Sequence, residues 1–140
     1  MSSRLLTYRG VVYPWQCDHM GHMNVMWYVG KFDEATWNLF LALGLTPTFL
    51  RENGRGVAAV EQVISYKKEL LAGETVSVFS GVVEVKERVL RFLHEMHNGE
   101  TDELVATTLQ TTVHIDAVAR KAVALPADVA AKAREFTTSS

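Results

Sequence analysis

The clearest pattern along the chain is an apolar stripe that begins after Asn24 and recurs every three or four residues. This spacing predicts an amphipathic helix, because it places the side chains on one helical face. Asn24 is a favourable N-cap, and Gly44 is a favourable terminator. The stripe consists of Val25, Tyr28, Phe32, Ala35, Leu39 and Leu43. Further apolar residues leave a narrow polar strip at Lys31, Glu34 and Asn38, so we predict a long helix buried on most sides.

On both sides of this helix the pattern changes to runs of β-branched and aromatic residues, which are typical of strands. One run precedes the helix, from Leu6 to Trp15, and a short helical turn is predicted between Thr46 and Gly54. An Ala-rich stretch from Pro126 to Phe136 predicts a last helix. The remaining predicted strands are Val57 to Glu69, Glu74 to Glu87, Val89 to His97 and Glu103 to Asp116. The breaks between them are short, so the strands should pair largely antiparallel.

This order of elements predicts an α+β fold. A curved antiparallel sheet of about five strands, wrapped around the long helix, would bury a helix that is apolar on most faces. At 140 residues the chain is near the commonest domain size, so we expect a single domain over residues 1–140. A single curved sheet leaves open edge strands, which a second copy of the chain commonly covers. We therefore expect a homodimer or a dimer of dimers.

Composition and charge narrow the possible partners without indicating a chemistry. Hydrophobic residues make up 48% of the chain and charged residues 21%, as in ordinary soluble domains. The net charge of −2 does not favour nucleic acid as a partner. No apolar run is long enough to span a membrane, and the first residues lack the apolar stretch of a signal peptide. A single cysteine, Cys17, fits a reducing compartment, so we expect a cytoplasmic protein.

Candidate chemistry is concentrated in the polar segment that precedes the long helix. It contains Asp18, two histidines and a glycine, and it ends at the predicted N-cap Asn24. Amides in the first turn of a helix lack intrahelical partners, so we expect the N–H groups of Asn24, Val25 and Met26 to be unpaired and able to stabilise an oxyanion. A tight loop would bring the carboxylate of Asp18 beside them. The alternative is that Asp18 only caps a turn.

The same segment resembles a known family. Its pattern is Val12-x-x-Trp15-x-x-Asp18-x-x-Gly21-His22-x-Asn24-x-x-x-Tyr28, followed by Phe32-Asp33-Glu34-Ala35 and Leu43-Gly44-Leu45. This pattern resembles the 4-hydroxybenzoyl-CoA thioesterase family of hot-dog-fold proteins. The resemblance extends along most of the chain, and the Asp-x-x-Gly-His-x-Asn loop is its specific part. It implies a hot-dog fold, in which a curved antiparallel sheet wraps a long helix.

The resemblance implies hydrolysis of an acyl-CoA substrate without a cofactor. In family members whose loop carries the aspartate, that residue attacks the thioester carbonyl or activates water, and its position here is Asp18. The family's oxyanion donor is a backbone N–H in the first turn of the long helix, which falls at Val25. The chain departs from many members by having Gln16 in place of an acidic residue and Val25 in place of a second asparagine. Because of these two departures, the resemblance does not identify the acyl group of the substrate.

Other residues of the loop and one strand carry two interpretations each. His22 is a candidate to donate to the thioester carbonyl or to orient Asp18, but it would also suit pinning the loop to the backbone. Asn24 is more simply a helix cap than a ligand. Glu61, on a predicted strand, is a reserve carboxylate that a dimer partner could offer, or an outward-facing surface residue. His19 and His22 lack a third ligand nearby, so we expect no metal.

Substrate contacts are predicted at two places. Lys86, Arg88 and Arg91 cluster around a predicted turn and would suit the phosphates of CoA, although most such clusters are solvated turns. Gly21 and Tyr28 are candidates for contact with the rest of the substrate, while Tyr28 also fits the core or a dimer interface.

A second function class stays open at this point. A non-catalytic acyl-CoA or small-molecule binder could use the same fold, but it would have little reason to place a carboxylate near a thioester. A hot-dog dehydratase is a weaker alternative, because the long helix lacks that group's usual histidine motif.

Overall fold

The long helix forms where its spacing predicts it. In the computed structural model, which describes residues 4–138, helix α1 spans Val25–Leu43. The Oδ1 atom of Asn24 accepts a hydrogen bond from the amide of Met26 at 3.0 Å, which satisfies one of the exposed N–H groups of the first turn. At the other end Gly44 adopts φ +91°, and its amide donates to Leu41. The predicted cap and terminator of the helix are both confirmed.

Strands of one antiparallel sheet surround α1. The strands are β1 (Leu5–Val11), β2 (Arg55–Tyr66), β3 (Thr75–Val85), β4 (Val89–Asn98), β5 (Leu104–Asp116) and the short β6 (Lys121–Ala122). The other helices are α2 (Pro47–Asn53) and α3 (Ala127–Glu135). The long strands follow the order β1-β3-β4-β5-β2, and β6 pairs with the end of β5. The predicted α+β class, with an antiparallel sheet of about five strands, is confirmed.

One boundary of the strand prediction is wrong. The predicted run from Leu6 to Trp15 ends as a strand at Val11, and Pro14–Gln16 instead form a 3-10 turn. Proline lacks the N–H that a strand ladder needs, so the turn begins there. The strand order is not predicted: β2 and β3, although consecutive along the chain, are not neighbours in the sheet. Sequence spacing predicts antiparallel pairing, but it does not specify which strands meet.

The segment between β2 and β3, residues 67–74, therefore crosses from one side of the sheet to the other. Leu70 anchors it with a completely buried side chain, and the carbonyl of Leu70 accepts from the amide of Met23 at 2.8 Å. At the far end of the crossing the amide of Gly73 donates to the carbonyl of Val12, also at 2.8 Å. We call residues 67–74 the crossing segment. It holds the loop before α1 against the sheet, which matters for the site below.

The core consists of two hydrophobic clusters along α1. The half of the helix near its start packs on β3, β4 and β5 through Tyr28, Phe32 and Ala35. The half near its end packs on the same sheet and on α3 through Leu39, Phe40 and Leu43, with partners that include Val82, Phe92 and Val129. The predicted apolar stripe is thus the face that contacts the sheet.

The helix is not buried on most sides in the single chain, which corrects the expectation from the sequence. Three of its other apolar residues face outward: Met26 is 65% exposed, Leu41 61% and Trp37 44%. Lys31, assigned to the polar strip, is instead 3% exposed, and its ammonium donates to the Tyr8 hydroxyl and the Val11 carbonyl. Neither α1 nor any other helix within residues 4–138 has the length and apolarity needed to cross a membrane.

A buried polar network joins α1 to the sheet between the two clusters. Thr36 donates its only hydroxyl proton to the carbonyl of Phe32 at 3.0 Å, so the Nε2–H of His94 must donate to Thr36, at 2.8 Å. The Nδ1 atom of His94 then accepts from Ser80, whose hydroxyl also contacts Thr7. This pattern fits a neutral imidazole, and burial lowers the pKa of His94 from 6.5 to about 3.

Because the unfolded chain binds a proton at His94 near pH 6.5 and the folded chain does not until about pH 3, acid favours unfolding. We expect the free energy of unfolding to fall between these pH values by up to about 1.4 kcal/mol per pH unit from this one group. Urea titrations between pH 7.5 and 4.5 measure this slope.

The matched variant is His94→Gln, which removes the titrating group and leaves the carboxylates unchanged. It should be less stable at pH 7.5, and its stability should fall less steeply with acid than that of the wild type. An identical slope in the two proteins would contradict a neutral, buried His94.

Candidate active site

The polar segment before α1 is a tight hairpin. Cys17 and Met23 form an antiparallel bridge across it, the amide of Asp18 donates to the carbonyl of His22 at 3.1 Å, and the amide of Gly21 donates back to Asp18 at 3.0 Å. Gly21 has φ +90°, a conformation that side-chain-bearing residues rarely adopt. The glycine of the motif therefore serves the turn that brings position 18 back towards the start of α1.

Both oxygens of the Asp18 carboxylate accept hydrogen bonds. The Oδ2 atom accepts from the side-chain amide of Asn24 at 2.9 Å, and Oδ1 accepts from the backbone amide of Met20 at 2.9 Å. The bond from Asn24, followed by the bond from Met20, lowers the pKa of the half-buried Asp18 below its usual value of 3.8. Asp18 therefore caps the turn through Oδ1 and contacts the N-cap residue of α1 through Oδ2.

The amides at the start of α1 differ from the expectation that three of them are unpaired. The amide of Asn24 donates to the carbonyl of Gln16 at 2.8 Å, and the amide of Met26 donates to Asn24 Oδ1. Of the three, only the N–H of Val25 meets no acceptor among residues 4–138. Capping by Asn24 therefore concentrates the anion-binding capacity of the helix start at a single amide, next in sequence to the residue that holds Asp18.

His22 neither orients Asp18 through a hydrogen bond nor pins the loop to the backbone, and its predicted contact with a thioester carbonyl stays a prediction. Its Nε2 atom lies 3.0 Å from the Oε2 atom of Glu69, which belongs to the crossing segment, and its ring makes no hydrogen bond to Asp18 or to the backbone. Sequence reasoning missed Glu69, because the two residues are far apart along the chain and only the crossing of residues 67–74 brings them together. His22 therefore links the loop to the crossing segment.

A cleft of about 280 Å³ opens between the start of α1 and the crossing segment. Tyr28 and Tyr66 meet in it edge to face, with ring centroids 5.1 Å apart and ring planes at 88°. The Tyr28 hydroxyl donates to the carbonyl of Lys68 at 3.2 Å, while burial and then the negative charge of Glu69 raise the pKa of Tyr28 to about 12. The lining residues are His22, Met23, Val25, Tyr28, Tyr66, Lys67, Lys68 and Glu69.

The other predicted site residues lie elsewhere. Lys86 and Arg88 occupy the turn between β3 and β4, and β4 runs from there over 10 residues to the end of the sheet near the loop, roughly 30 Å away. Arg91 is 3.3 Å from Glu84, and Lys86 is 3.8 Å from the same residue. Glu61 is exposed on β2 and does not line the cleft. A single chain brings none of these four residues to Asp18.

Metal-binding residues are not gathered in the described structure. Over residues 4–138, no three or more His, Cys, Asp or Glu side chains are arranged to hold a metal ion. The loop instead offers a carboxylate and an unpaired amide, which suit the attack on a carbonyl group and the stabilisation of the oxyanion that forms.

Comparison with known proteins relates the chain to one family. The model of the thioesterase-like superfamily matches residues 12–133. An L-carnitine dehydrogenase/betainyl-CoA thioesterase of Rhizobium sp. is 29% identical over 120 residues, which are 86% of this chain and 24% of that protein. A protein of the same name in Agrobacterium fabrum is 31% identical over 109 residues, 78% of this chain and 22% of that protein. The chain spans about a quarter of the length of these curated relatives.

Solved structures share the fold over almost the whole chain. A hypothetical protein of Staphylococcus aureus in complex with CoA matches with a TM-score of 0.89 and 18% identity, over 97% of this chain and 85% of that one. A 1,4-dihydroxy-2-naphthoyl-CoA thioesterase of Synechocystis matches with a TM-score of 0.81 and 18% identity, over 92% of this chain and 95% of that one. The hot-dog architecture predicted from the sequence is confirmed.

The contact between Asn24 and Asp18 gives a direct test of the site geometry. In Asn24→Asp the side chain can still cap α1, but the amide that donates to Asp18 is replaced by a second carboxylate. We expect the pKa of Asp18 to rise above its wild-type value, because the largest cause of its lowering is lost and a like charge is added. Carboxyl carbon chemical shifts followed by NMR against pH measure this pKa.

Asp116 is the internal control for that titration. Its pKa is also lowered, but by the backbone amides of Ala119 and Val118, so the substitution at position 24 should leave it unchanged. If Asp18 and Asp116 titrate as they do in the wild type, Asn24 does not hold the Asp18 carboxylate.

Proposed function

We propose that this chain, which belongs to the thioesterase-like superfamily, hydrolyses an acyl-CoA thioester to a free acid and CoA, with Asp18 as the catalytic carboxylate. The observation that carries the proposal is the pair formed at the start of α1. An ionised Asp18 is held by Asn24, and the next amide along the chain, that of Val25, has no acceptor within residues 4–138. A carboxylate beside an unpaired helix-terminal amide is suited to acyl transfer.

Asp18 acts as a nucleophile in this proposal. A carboxylate with a lowered pKa stays ionised but is a weak base near neutral pH, and a general base works best with a pKa near the operating pH. Attack of a carboxylate oxygen on the thioester carbon forms a tetrahedral oxyanion, which the Val25 N–H stabilises. The C–S bond then breaks, the CoA thiolate leaves, and an acyl-aspartyl anhydride remains. Water cleaves the anhydride and restores Asp18.

The acyl group is the next question. The curated relatives carry betainyl-CoA thioesterase in their names, and betainyl-CoA is therefore the first compound to test here. The CoA complex of the Staphylococcus aureus neighbour is consistent with CoA as the carrier. The basic residues Lys86, Arg88 and Arg91 contribute to CoA binding only if a second subunit brings them near the loop of the first. Glu61 likewise reaches the site only from a second subunit.

We infer that a second copy of the chain packs on β2. Within residues 4–138 this strand pairs with β5 alone, so its other edge offers free backbone groups. Two apolar side chains on β2 are exposed, Val60 at 59% and Val63 at 53%, and the outward apolar residues of α1 leave further surface to cover. A copy that pairs along this edge would satisfy the backbone and bury these side chains.

The central prediction concerns Asp18→Asn. The amide keeps the size of the side chain but cannot act as an anionic nucleophile, so thiol release from acyl-CoA should fall at least 100-fold, which corresponds to about 3 kcal/mol in the barrier. The measurement is thiol release with a chromogenic reagent over a panel of acyl-CoA compounds that includes betainyl-CoA.

Asp116→Asn is the matched control, because Asp116 also caps a turn through two backbone amides but lies away from the cleft. It should keep wild-type activity. Equal turnover by the wild type and Asp18→Asn would refute the assignment of Asp18. A wild type that binds acyl-CoA compounds but releases no thiol would indicate the alternative, a non-catalytic binder on the same fold.

The subunit arrangement is tested by Val63→Lys. Light scattering should give the wild type a mass of about twice the 15.6 kDa of one chain, or a multiple of that dimer. A charge at position 63 should shift the mass towards one chain, because it places a lysine in the apolar contact. Val118→Lys, at a turn residue that is 86% exposed, should not change the mass. A monomeric wild type would overturn this inference.

A further inference from the structure

We propose that the cleft beside α1 selects a small acyl group that carries a positive charge, and that Tyr28, Tyr66 and Glu69 are the residues that recognise the charge. The inference rests on the proposed thioester hydrolysis and deepens it by naming the class of acyl group. It concerns specificity and assigns no part in bond breaking to these three side chains.

The first observation is the corner formed by the two tyrosines. Their rings stand at 88° with centroids 5.1 Å apart. Tyr28 is fixed there, since it is buried and its hydroxyl is held by the carbonyl of Lys68. Tyr66 is 47% exposed, so much of its ring is open to the cleft. Aromatic faces attract alkylammonium groups, which are too weakly hydrated to resist leaving water.

The second observation is the charge at the cleft. Glu69 lines it and pairs only with His22, at 3.0 Å, among the described ion pairs. Its negative charge contributes to the raised pKa of Tyr28, which places a negative field at the ring itself. Of the two lysines at the rim, Lys68 directs its ammonium to Glu103 at 3.6 Å. Lys67 is exposed, and its long stem allows its ammonium to stay in water.

The third observation is the spacing between the Val25 amide and the tyrosine corner. Val25 and Tyr28 are three residues apart on α1, so they lie on the same face and about 5–6 Å apart. A thioester carbonyl bound at the Val25 amide would therefore place a substituent that is two bonds further along the acyl group against the tyrosine corner. The cleft volume of about 280 Å³ has room for a trimethylammonium group.

The decisive experiment compares two acyl-CoA compounds of the same shape. Betainyl-CoA carries a trimethylammonium group, and 3,3-dimethylbutyryl-CoA carries the uncharged tert-butyl group in its place. The ammonium also activates the carbonyl, so each kcat/KM is divided by the rate of hydrolysis without enzyme. We expect the corrected wild-type ratio to favour the charged compound by about 10-fold, and succinyl-CoA, with an anionic acyl group, to be the poorest substrate.

Four variants separate the effect of the aromatic ring, the effect of the negative charge and a general disturbance of the protein. Tyr66→Leu should reduce the ratio several-fold, and Tyr66→Phe should retain it, because the aromatic face remains. Glu69→Gln should reduce the ratio without a matching loss of activity towards the neutral compound. Glu135→Gln, which removes a surface carboxylate paired with Lys132 on α3, is the control and should change nothing. A ratio in Tyr66→Leu and Glu69→Gln equal to that of the wild type, or a preference for succinyl-CoA, would overturn the inference while leaving hydrolysis in place.

A binding measurement keeps the two proposals distinguishable. Calorimetric titration with glycine betaine and with 3,3-dimethylbutyrate needs no turnover. Glycine betaine should bind more tightly to the wild type, and Glu69→Gln should remove the difference. If this pattern appears but no acyl-CoA is hydrolysed, the proposed function fails and the cation-selective cleft stands. If neither compound binds, or both bind equally, the assignment of the cleft fails.

Discussion

The structure around the loop depends on the two hydrogen bonds that the Asn24 side chain makes. One end of its amide caps the helix by accepting from Met26, and the other end donates to the Asp18 carboxylate. An aspartate would cap α1 equally well, but a carboxylate has no proton to donate to Asp18, whereas the asparagine amide offers an acceptor and a donor. The cap therefore also orients the group that donates to the Asp18 carboxylate.

This arrangement has a consequence for electrostatics. A bare helix start spreads its positive end over several N–H groups, whereas here the neighbours of Val25 are already satisfied by Gln16 and Asn24. The Val25 amide, which meets no acceptor within residues 4–138, can therefore donate a hydrogen bond to a developing negative charge. Asp18 does not occupy this amide, because its own oxygens accept from Asn24 and Met20. The loop thus holds the Asp18 carboxylate and the proposed oxyanion at different hydrogen-bond donors, although these donors are close together in the chain.

The sequence predicts those parts of the molecule that depend on interactions between residues close together along the chain. The period of the apolar stripe, the cap at Asn24 and the stop at Gly44 all act within one helix, and the structure confirms them. The hairpin that returns Asp18 to the helix is equally local, since Gly21 supplies the left-handed conformation it needs. These features follow from propensities and hydrogen bonds between near neighbours.

The sequence does not predict the residues that the crossing segment and the end of β2 bring to the loop. Glu69 and Tyr66 reach the loop only because β2 and β3 lie on different sides of the sheet, and that order is decided by the packing of the whole chain. The same limit explains Lys31, whose burial depends on where β1 places Tyr8 and the Val11 carbonyl. Motif and spacing therefore locate the carboxylate that we propose as catalytic, while the residues of the cleft beside it become visible only in three dimensions. For a fold shared by proteins at 18% identity, that division has a physical basis. The hairpin is built by its own residues, whereas the cleft wall comes from the crossing segment, which only the packing of the whole chain brings to the loop.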